Sequence, residues 1–173
     1  GPFNSGAMRK ALQALVDRHE ALRSTIGDNG EYLRISPALQ LDVPLVDFTQ
    51  QNGNAESQVA RWLSEEATEA FDLQRGPLLR VRLVKLAAEH HLLVLTLHHI
   101  VTDGWSVGVM LKEMRELYAA ECQGVRPNLA PPKQFSTYAR LQVEELSNTE
   151  RLASNRSYWL EEFKGLSKPL VLP

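Results

Sequence analysis

Residues 92–97 of this 173-residue chain form a short apolar run, LLVLTL, near its middle. Runs of this length that are rich in leucine and valine are typical of strands buried on both faces of a sheet. The next seven residues, HHIVTDG, place two imidazoles, a carboxylate and a glycine where a central strand leaves the core. Because side chains alternate along a strand, His98 and His99 are predicted to point to opposite faces. One imidazole can then face a cavity while the other is held inside.

The rest of the chain alternates between helical and extended patterns. Helical apolar stripes cover residues 8–25, 55–71, 106–121, 135–146 and 149–163, and extended segments cover residues 31–36, 41–48 and 78–86. In the last of these, Leu79, Val81 and Leu83 alternate with two arginines, which indicates a sheet with one wetter face. Residues 87–90 are short enough for a hairpin loop, and Ser106 is a predicted N-cap for the helix after the histidines. Together these elements predict an α/β sandwich with a mixed sheet and flanking helices.

Length and composition are those of one ordinary globular domain. The chain is 43% hydrophobic and 23% charged, with a net charge of -2. That balance argues against nucleic acid as a partner, and no segment approaches the roughly 20 apolar residues that span a bilayer. The single cysteine, Cys122, cannot form an internal disulfide. With no signal-peptide pattern at the start, the expected setting is the reducing cytoplasm.

The histidine segment is compatible with more than one chemistry. A neutral imidazole can accept a proton from an attacking group or donate to a developing oxyanion. Gly104 would let backbone approach a ligand closely or take a positive φ. The alternative is that the two histidines are merely packed, that Asp103 and Gly104 form a simple turn, and that the segment has no catalytic function.

Two other kinds of site are disfavoured by spacing. His99 and Asp103 are metal-ligand types, but zinc needs a third or fourth ligand. His90 and His91 lie at the far end of the same strand, roughly 20 Å away by strand rise. Ser106 has no Gly-x-Ser-x-Gly elbow around it, so a serine hydrolase is disfavoured as well.

A second charged cluster, RHEALR, occupies residues 18–23 on the first predicted helix. At helical spacing Arg18 and Leu22 share one face, while His19 and Arg23 share another. One interpretation is a solvated charged surface. The other is that an arginine turns inward to pair with Asp103, because a buried carboxylate needs a cationic partner.

These motifs resemble those of a known family. Residues 98–106, HHIVTDGWS, resemble the HHxxxDGxS signature of nonribosomal peptide synthetase condensation domains, and residues 18–25, RHEALRST, resemble the RHExLRTxF motif of the same family. Ser24 and Ile26 stand where the family has threonine and phenylalanine. Residues 135–142, FSTYARLQ, resemble the YxDYAxW motif, with Thr137 and Leu141 in place of its acid and tryptophan. The histidine motif is shared with the wider superfamily that includes chloramphenicol acetyltransferase, whereas the pair of motifs is more specific.

The resemblance implies half of a condensation domain, with the α/β sandwich of chloramphenicol acetyltransferase. Residues 1–165 are expected to be the N-terminal lobe, without the first strand and the SxAQxRLW motif that precede it in the family. Residues 166–173 are expected to begin the linker to an absent C-terminal lobe. Since the family's active site lies in a tunnel between two lobes, this lobe is expected to be inactive by itself.

The resemblance also implies an activity and a role for each motif residue. The activity is acyl transfer that forms an amide bond between an upstream carrier-bound acyl or peptidyl thioester and a downstream carrier-bound aminoacyl group. His99 is implied to be the active-site histidine, as general base or by orienting the amine and stabilising the tetrahedral intermediate. Gly104 is implied to line the tunnel at the reacting centre. The residues implied to be structural or supporting are His98, Asp103, Arg18 and Arg23, with Asp103 salt-bridged to an arginine.

Partners and alternatives follow from the same resemblance. The chain is expected to bind no cofactor or metal of its own, because carrier protein domains deliver the phosphopantetheine arms. An adenylation domain and the second lobe are the other expected partners, with neither nucleic acid nor membrane. An epimerization domain of the same fold has a Ser-Trp pair after its histidine motif, so the order Trp105-Ser106 favours condensation. A third hypothesis is a lobe that binds carrier proteins without catalysing a reaction.

Overall fold

Helices and strands alternate in the computed structural model, which describes residues 2–50 and 55–165. The chain divides into two units, one up to Gln134 and one from Phe135 onwards. The first unit contains, in chain order, α1 Ser5–Arg18, a 3-10 turn Glu20–Arg23, β1 Ser24–Ile26, β2 Leu33–Ile35, β3 Leu45–Asp47, α2 Ala55–Thr68, β4 Leu79–Ala87, β5 His90–Leu97 and α3 Gly104–Gln123. The second unit contains α4 Phe135–Leu146 and α5 Thr149–Glu162. This order confirms the predicted α/β class.

The sheet that positions the histidines is mixed, as predicted. β3 runs parallel to β4, and β5 returns antiparallel to β4 through a tight turn at residues 88–89. In the described residues β4 is the central strand and β5 is at the edge of the sheet. The prediction that residues 92–97 form a central strand buried on both faces is therefore wrong, and all six are only half-buried.

The polar face of β4 is covered by a carboxylate. Arg80 Nε lies 3.1 Å from Glu66 Oε1, and Arg82 Nε lies 3.4 Å from Glu66 Oε2. Glu66 itself is buried. The face predicted to be wetter is thus covered by α2, and its charges are paired. The alternation of apolar residues with arginine predicted that the arginine face is exposed to water. In the structure the charges of these arginines are instead neutralised by Glu66.

The main core lies between α1, α3 and the other face of β4. Fully or nearly buried residues of this core are Ala11, Leu12, Leu15, Val16, Val81, Leu83, Met110 and Leu117. Burying one leucine side chain contributes about 1.5–3 kcal/mol to folding. The core therefore fixes α3, whose first residues follow the histidine segment, against α1 and the sheet.

The first helix ends before its predicted limit at residue 25. α1 ends at Arg18, and His19 adopts an extended conformation with φ -111° while its N–H still donates to the Leu15 carbonyl at 3.2 Å. The following residues include Thr25 and Ile26, whose β-branched side chains favour strands. They form β1, which pairs antiparallel with β2. The chain thus leaves the helix within the RHEALR cluster.

The second unit is a pair of helices that confirms the segments predicted at 135–146 and 149–163. Asn148 caps α5 by accepting a hydrogen bond from the Arg151 N–H at 3.0 Å. None of the described residues of α4 or α5 is buried. Residues 52–54, whose sequence Asn-Gly-Asn predicts a turn, lie outside the described residues, as does the linker predicted at residues 166–173. No described helix has the length and apolar character that crossing a bilayer requires.

Candidate active site

The two histidines begin a tight turn at the end of β5. The His98 N–H donates to the Leu78 carbonyl at 3.0 Å, so the ladder with the chain before β4 extends one residue beyond the strand. The Val101 N–H then donates to the His98 carbonyl at 3.1 Å. His98 is half-buried and His99 is exposed. This difference agrees with the predicted division between a held and a facing imidazole.

The ring of His98 is part of the turn. The Ile100 N–H donates to His98 Nδ1 at 3.1 Å, and the Thr102 hydroxyl donates to the His98 carbonyl at 3.4 Å. A neutral imidazole that accepts a hydrogen bond at Nδ1 carries its proton on Nε2. The ring and the carbonyl of His98 therefore both hold the backbone that carries His99.

Asp103 caps α3. Its Oδ1 accepts hydrogen bonds from the Ser106 hydroxyl at 2.6 Å and from the Ser106 N–H at 2.7 Å. These two bonds, in that order, lower the pKa of Asp103, and the charge of His99 acts in the same direction. The prediction that Ser106 is the N-cap is wrong, because the extended residue three places earlier reaches the free N–H of Ser106. Ser106 is instead a donor to the cap.

The expected salt bridge between Asp103 and an arginine is not formed in the part of the chain that the structure describes. Arg23 uses its guanidinium on main-chain carbonyls, with bonds to Val16 at 3.1 Å and to Ser36, Pro37 and Asp17. It ties the end of α1 to the chain after β2. Arg18 binds a different carboxylate. Both arginines make contacts within the fold, and neither binds Asp103.

The carboxylate that Arg18 meets is Glu113, in the middle of α3. Arg18 Nε lies 3.0 Å from Glu113 Oε2, and His19 Nε2 lies 2.8 Å from the same oxygen. Arg18 Nη2 also donates to the Ala130 carbonyl at 2.8 Å. Burial raises the pKa of Glu113, but the bonds from Arg18 and His19 outweigh it and leave the pKa below its usual value. The RHEALR cluster therefore clamps α1 to the helix that begins at the site.

Glu113 was not identified from the sequence, although its position on the apolar stripe of α3 was a signal. It lies between Met110, Met114 and Leu117 on the apolar stripe of α3. An acid inside a buried stripe needs a partner, and the RHEALR cluster is the charged segment that can supply one. The buried stripe of α3, rather than Asp103, therefore determines where Arg18 binds.

Gly104 is the first residue of α3 and has open space beside it. A Cβ built there would meet no atom within 4 Å. Its φ is not positive, so the left-handed conformation considered for it is not used. The open space leaves room for a ligand to approach the backbone closely, and that approach stays a prediction. Two large apolar side chains nearby, Ile100 and Trp105, are exposed, and Trp105 is 84% exposed.

The arrangement places one exposed imidazole, His99, on a turn fixed from three sides. Hydrogen bonds of His98 hold the turn from within, the Asp103 cap holds its exit, and the core holds α3. A positioned neutral imidazole can accept a proton at neutral pH. Among the described residues, no group of three His, Cys, Asp or Glu side chains is placed to hold a metal ion.

Comparison with known proteins shows which family this arrangement belongs to. The family model described as Condensation domain matches residues 1–173. The chain is 38% identical to malpinin synthetase from Mortierella alpina and 36% identical to tyrocidine synthase 3 from Brevibacillus parabrevis. Each match covers 100% of this chain and 2% of the relative, so the chain spans a small part of the relatives' length.

A solved structure has the same fold. The X-domain from teicoplanin biosynthesis is similar with a TM-score of 0.87 and 27% identity, over 100% of this chain and 38% of that one. The resemblance drawn from the two sequence motifs is thereby confirmed. The chain belongs to the condensation-domain family.

Proposed function

We propose that this chain is the lobe of a condensation domain that supplies the active-site histidine for amide-bond formation. The observation that carries the proposal is the exposed imidazole of His99 on a turn whose backbone is fixed by His98 and Asp103. Residues 1–165 form the N-terminal lobe in this proposal, and residues 166–173 lead to the second lobe. An isolated lobe offers one wall of the tunnel and is inactive.

The reaction joins two carrier-bound substrates. The amine of the downstream aminoacyl group attacks the carbonyl carbon of the upstream thioester, a C–N bond forms and the C–S bond breaks. His99 accepts the proton that the amine loses, and the leaving thiolate takes up a proton in turn. Gly104 leaves room for the thioester beside the backbone, since no atom occupies the place of a side chain there. Both substrates arrive on phosphopantetheine arms of carrier domains, and the chain itself holds no cofactor.

The surface around His99 suits such substrates. Ile100 and Trp105, both within residues 98–106, expose apolar area, which suits a closed, water-poor channel once a second lobe covers it. Carrier and adenylation domains are the proposed neighbours, and the cytoplasm is the proposed setting. The products are peptides of the secondary-metabolite type, such as antibiotics.

The test uses a complete domain that contains this lobe, together with loaded upstream and downstream carrier domains. His99→Ala should abolish dipeptide formation and leave the circular dichroism spectrum unchanged. His90→Ala is the matched control, because His90 is also exposed but lies at the other end of β5. Dipeptide formation by His99→Ala at the rate of His90→Ala would refute the proposal and favour a carrier-binding lobe without catalysis.

A further inference from the structure

A second set of contacts reaches His98 from outside the motif. The ring of Phe71, just after α2, packs against the imidazole of His98 with centroids 5.9 Å apart and planes at 88°. This T-shaped geometry is a favourable arrangement for aromatic pairs. Phe71 is half-buried, so the contact is partly shielded from water. The imidazole is therefore held on one side by Phe71 and at Nδ1 by the Ile100 N–H.

Phe71 is in turn held by Arg80 of β4. The guanidinium carbon of Arg80 lies 4.0 Å from the centroid of the Phe71 ring, a cation–π contact. The side chain of Arg80 is 12% exposed. A largely desolvated guanidinium over an aromatic face is attracted more strongly than one in open water.

The guanidinium is fixed by the end of α2. Arg80 Nε donates to Glu66 Oε1 at 3.1 Å, and Nη2 donates to the carbonyls of Glu66 at 3.0 Å and Glu69 at 2.8 Å. Cations are favourable at helix C-termini because the last carbonyls have no partner within the helix. These in-plane bonds leave the flat face of the guanidinium available for Phe71. The contacts thus run from Glu66 through Arg80 and Phe71 to His98.

Arg82 provides an internal comparison. It binds the other oxygen of the same carboxylate, with Nε 3.4 Å from Glu66 Oε2, and its Nη1 donates to the Val81 carbonyl at 3.1 Å. In the described residues the cation–π contact on Phe71 comes from Arg80. The two arginines therefore share one charge cluster, but they differ in their access to His98.

We propose that Arg80 is a positioning residue for acyl transfer, acting through Phe71. Together they hold the imidazole of His98 in the orientation in which Nδ1 accepts the Ile100 N–H, and this bond fixes the turn that presents His99. A buried charge cluster often adds little to the free energy of unfolding. The Glu66–Arg80 cluster lies next to Phe71 and His98, and this position indicates that it controls the geometry of the turn that carries His99. The effect on His98 stands by itself, whereas its consequence for acyl transfer rests on the proposed function.

The direct test reads the tautomer of His98 by NMR. The 173-residue chain is labelled with ¹⁵N-histidine, for two-bond ¹H–¹⁵N correlations recorded above about pH 8, and with ¹⁵N-isoleucine, for the Ile100 amide. The parent should show His98 as the Nε2–H tautomer alone. Phe71→Leu and Arg80→Met should give mixed nitrogen shifts and move the Ile100 amide resonance. Arg82→Met, the matched control, should leave both unchanged, and Phe71→Tyr should restore the parent pattern.

Kinetics in the complete domain separates this inference from the proposed function. Phe71→Leu should lower kcat by up to about tenfold with little change in KM, the size expected from losing one aromatic contact. A folded Phe71→Leu or Arg80→Met chain with a pure Nε2–H tautomer and an unmoved Ile100 amide would overturn the inference. A changed tautomer with unchanged kcat would overturn only the link to acyl transfer. Activity retained in His99→Ala would instead overturn the proposed function.

Discussion

Replacing Glu113 by glutamine should weaken the clamp between α1 and α3 without changing the shape of the side chain. Arg18 and His19 would then lose their common carboxylate, while the bond from Arg18 to the Ala130 carbonyl remains. The side chains of Arg18, His19 and Glu113 are 21%, 19% and 14% exposed, so water replaces the lost partner only in part.

The magnitude follows from the bonds that are lost. A hydrogen bond to a charged group contributes about 1.5–3 kcal/mol, and glutamine keeps one acceptor oxygen for Arg18. We therefore expect Glu113→Gln to lower the free energy of unfolding by about 2 kcal/mol at pH 7. For a chain of this size that corresponds to a fall in Tm of about 4–8 °C.

The loss should depend on pH with a definite sign. The pKa of Glu113 is lowered from its ordinary value of 4.5, so its contribution is fully present above that pH and disappears as the pH falls through the folded-state pKa. The difference in stability between the parent and Glu113→Gln should therefore shrink when urea unfolding is repeated below pH 4. The free energy of unfolding of Glu113→Gln should change less with pH in this range than that of the parent.

A matched control lies on the same helix. Glu121 pairs with Lys10 at 3.3 Å, but those side chains are 39% and 72% exposed. Glu121→Gln should cost about 0–1 kcal/mol at most, as exposed pairs do. The reasoning is refuted if Glu113→Gln is no less stable than Glu121→Gln at pH 7, or if its loss is the same at pH 3.5 and pH 7.

Substitutions at three further positions test other parts of the structure. Leu12→Ala should destabilise the chain by about 2–5 kcal/mol in urea unfolding, since Leu12 is 1% exposed; a loss below that of a surface Leu→Ala change would contradict the core assignment. Asp103→Ala should speed amide hydrogen exchange at Ser106, whereas Asp103→Asn should keep protection, because asparagine also caps helices; equal exchange in both variants would contradict the cap. Gly104→Ala should leave Tm unchanged, because a Cβ there meets no atom within 4 Å, yet lower kcat in the complete domain; a fall in Tm with full activity would contradict the role of Gly104.

Much of the fold could be predicted from local sequence patterns. The helices α2 to α5 and the hairpin of β4 and β5 follow from periodicity and turn chemistry, which depend on neighbouring residues. The order of strands could not be predicted in the same way. The apolar run of β5 indicated a central strand, but β4 lies between β3 and β5 in the described sheet. The arginines that made β4 look exposed are paired with Glu66.

The site shows the same division between features set by neighbouring residues and features set by tertiary packing. Alternation along one strand predicted that one histidine is held and the other faces outward, and the family resemblance implied that His99 is the outward one. The partner of Arg18 was not, because Glu113 is 95 residues away and only the packing of α1 on α3 brings the two together. Asp103 was assigned to a distant arginine, although its donor, Ser106, is three residues along the chain. Asp103 therefore binds a donor in its own helix turn rather than a distant arginine.

The central claim is that His99 performs the proton transfer of amide-bond formation. Single-turnover formation of the C–N bond should be measured in the complete domain, with both carrier domains loaded beforehand so that substrate delivery does not limit the rate. A positioned acid–base group typically contributes about 10²–10⁴-fold, so His99→Ala should be slower than His90→Ala by at least about 100-fold. A His99→Ala rate within about threefold of His90→Ala, far below that range, would contradict the account.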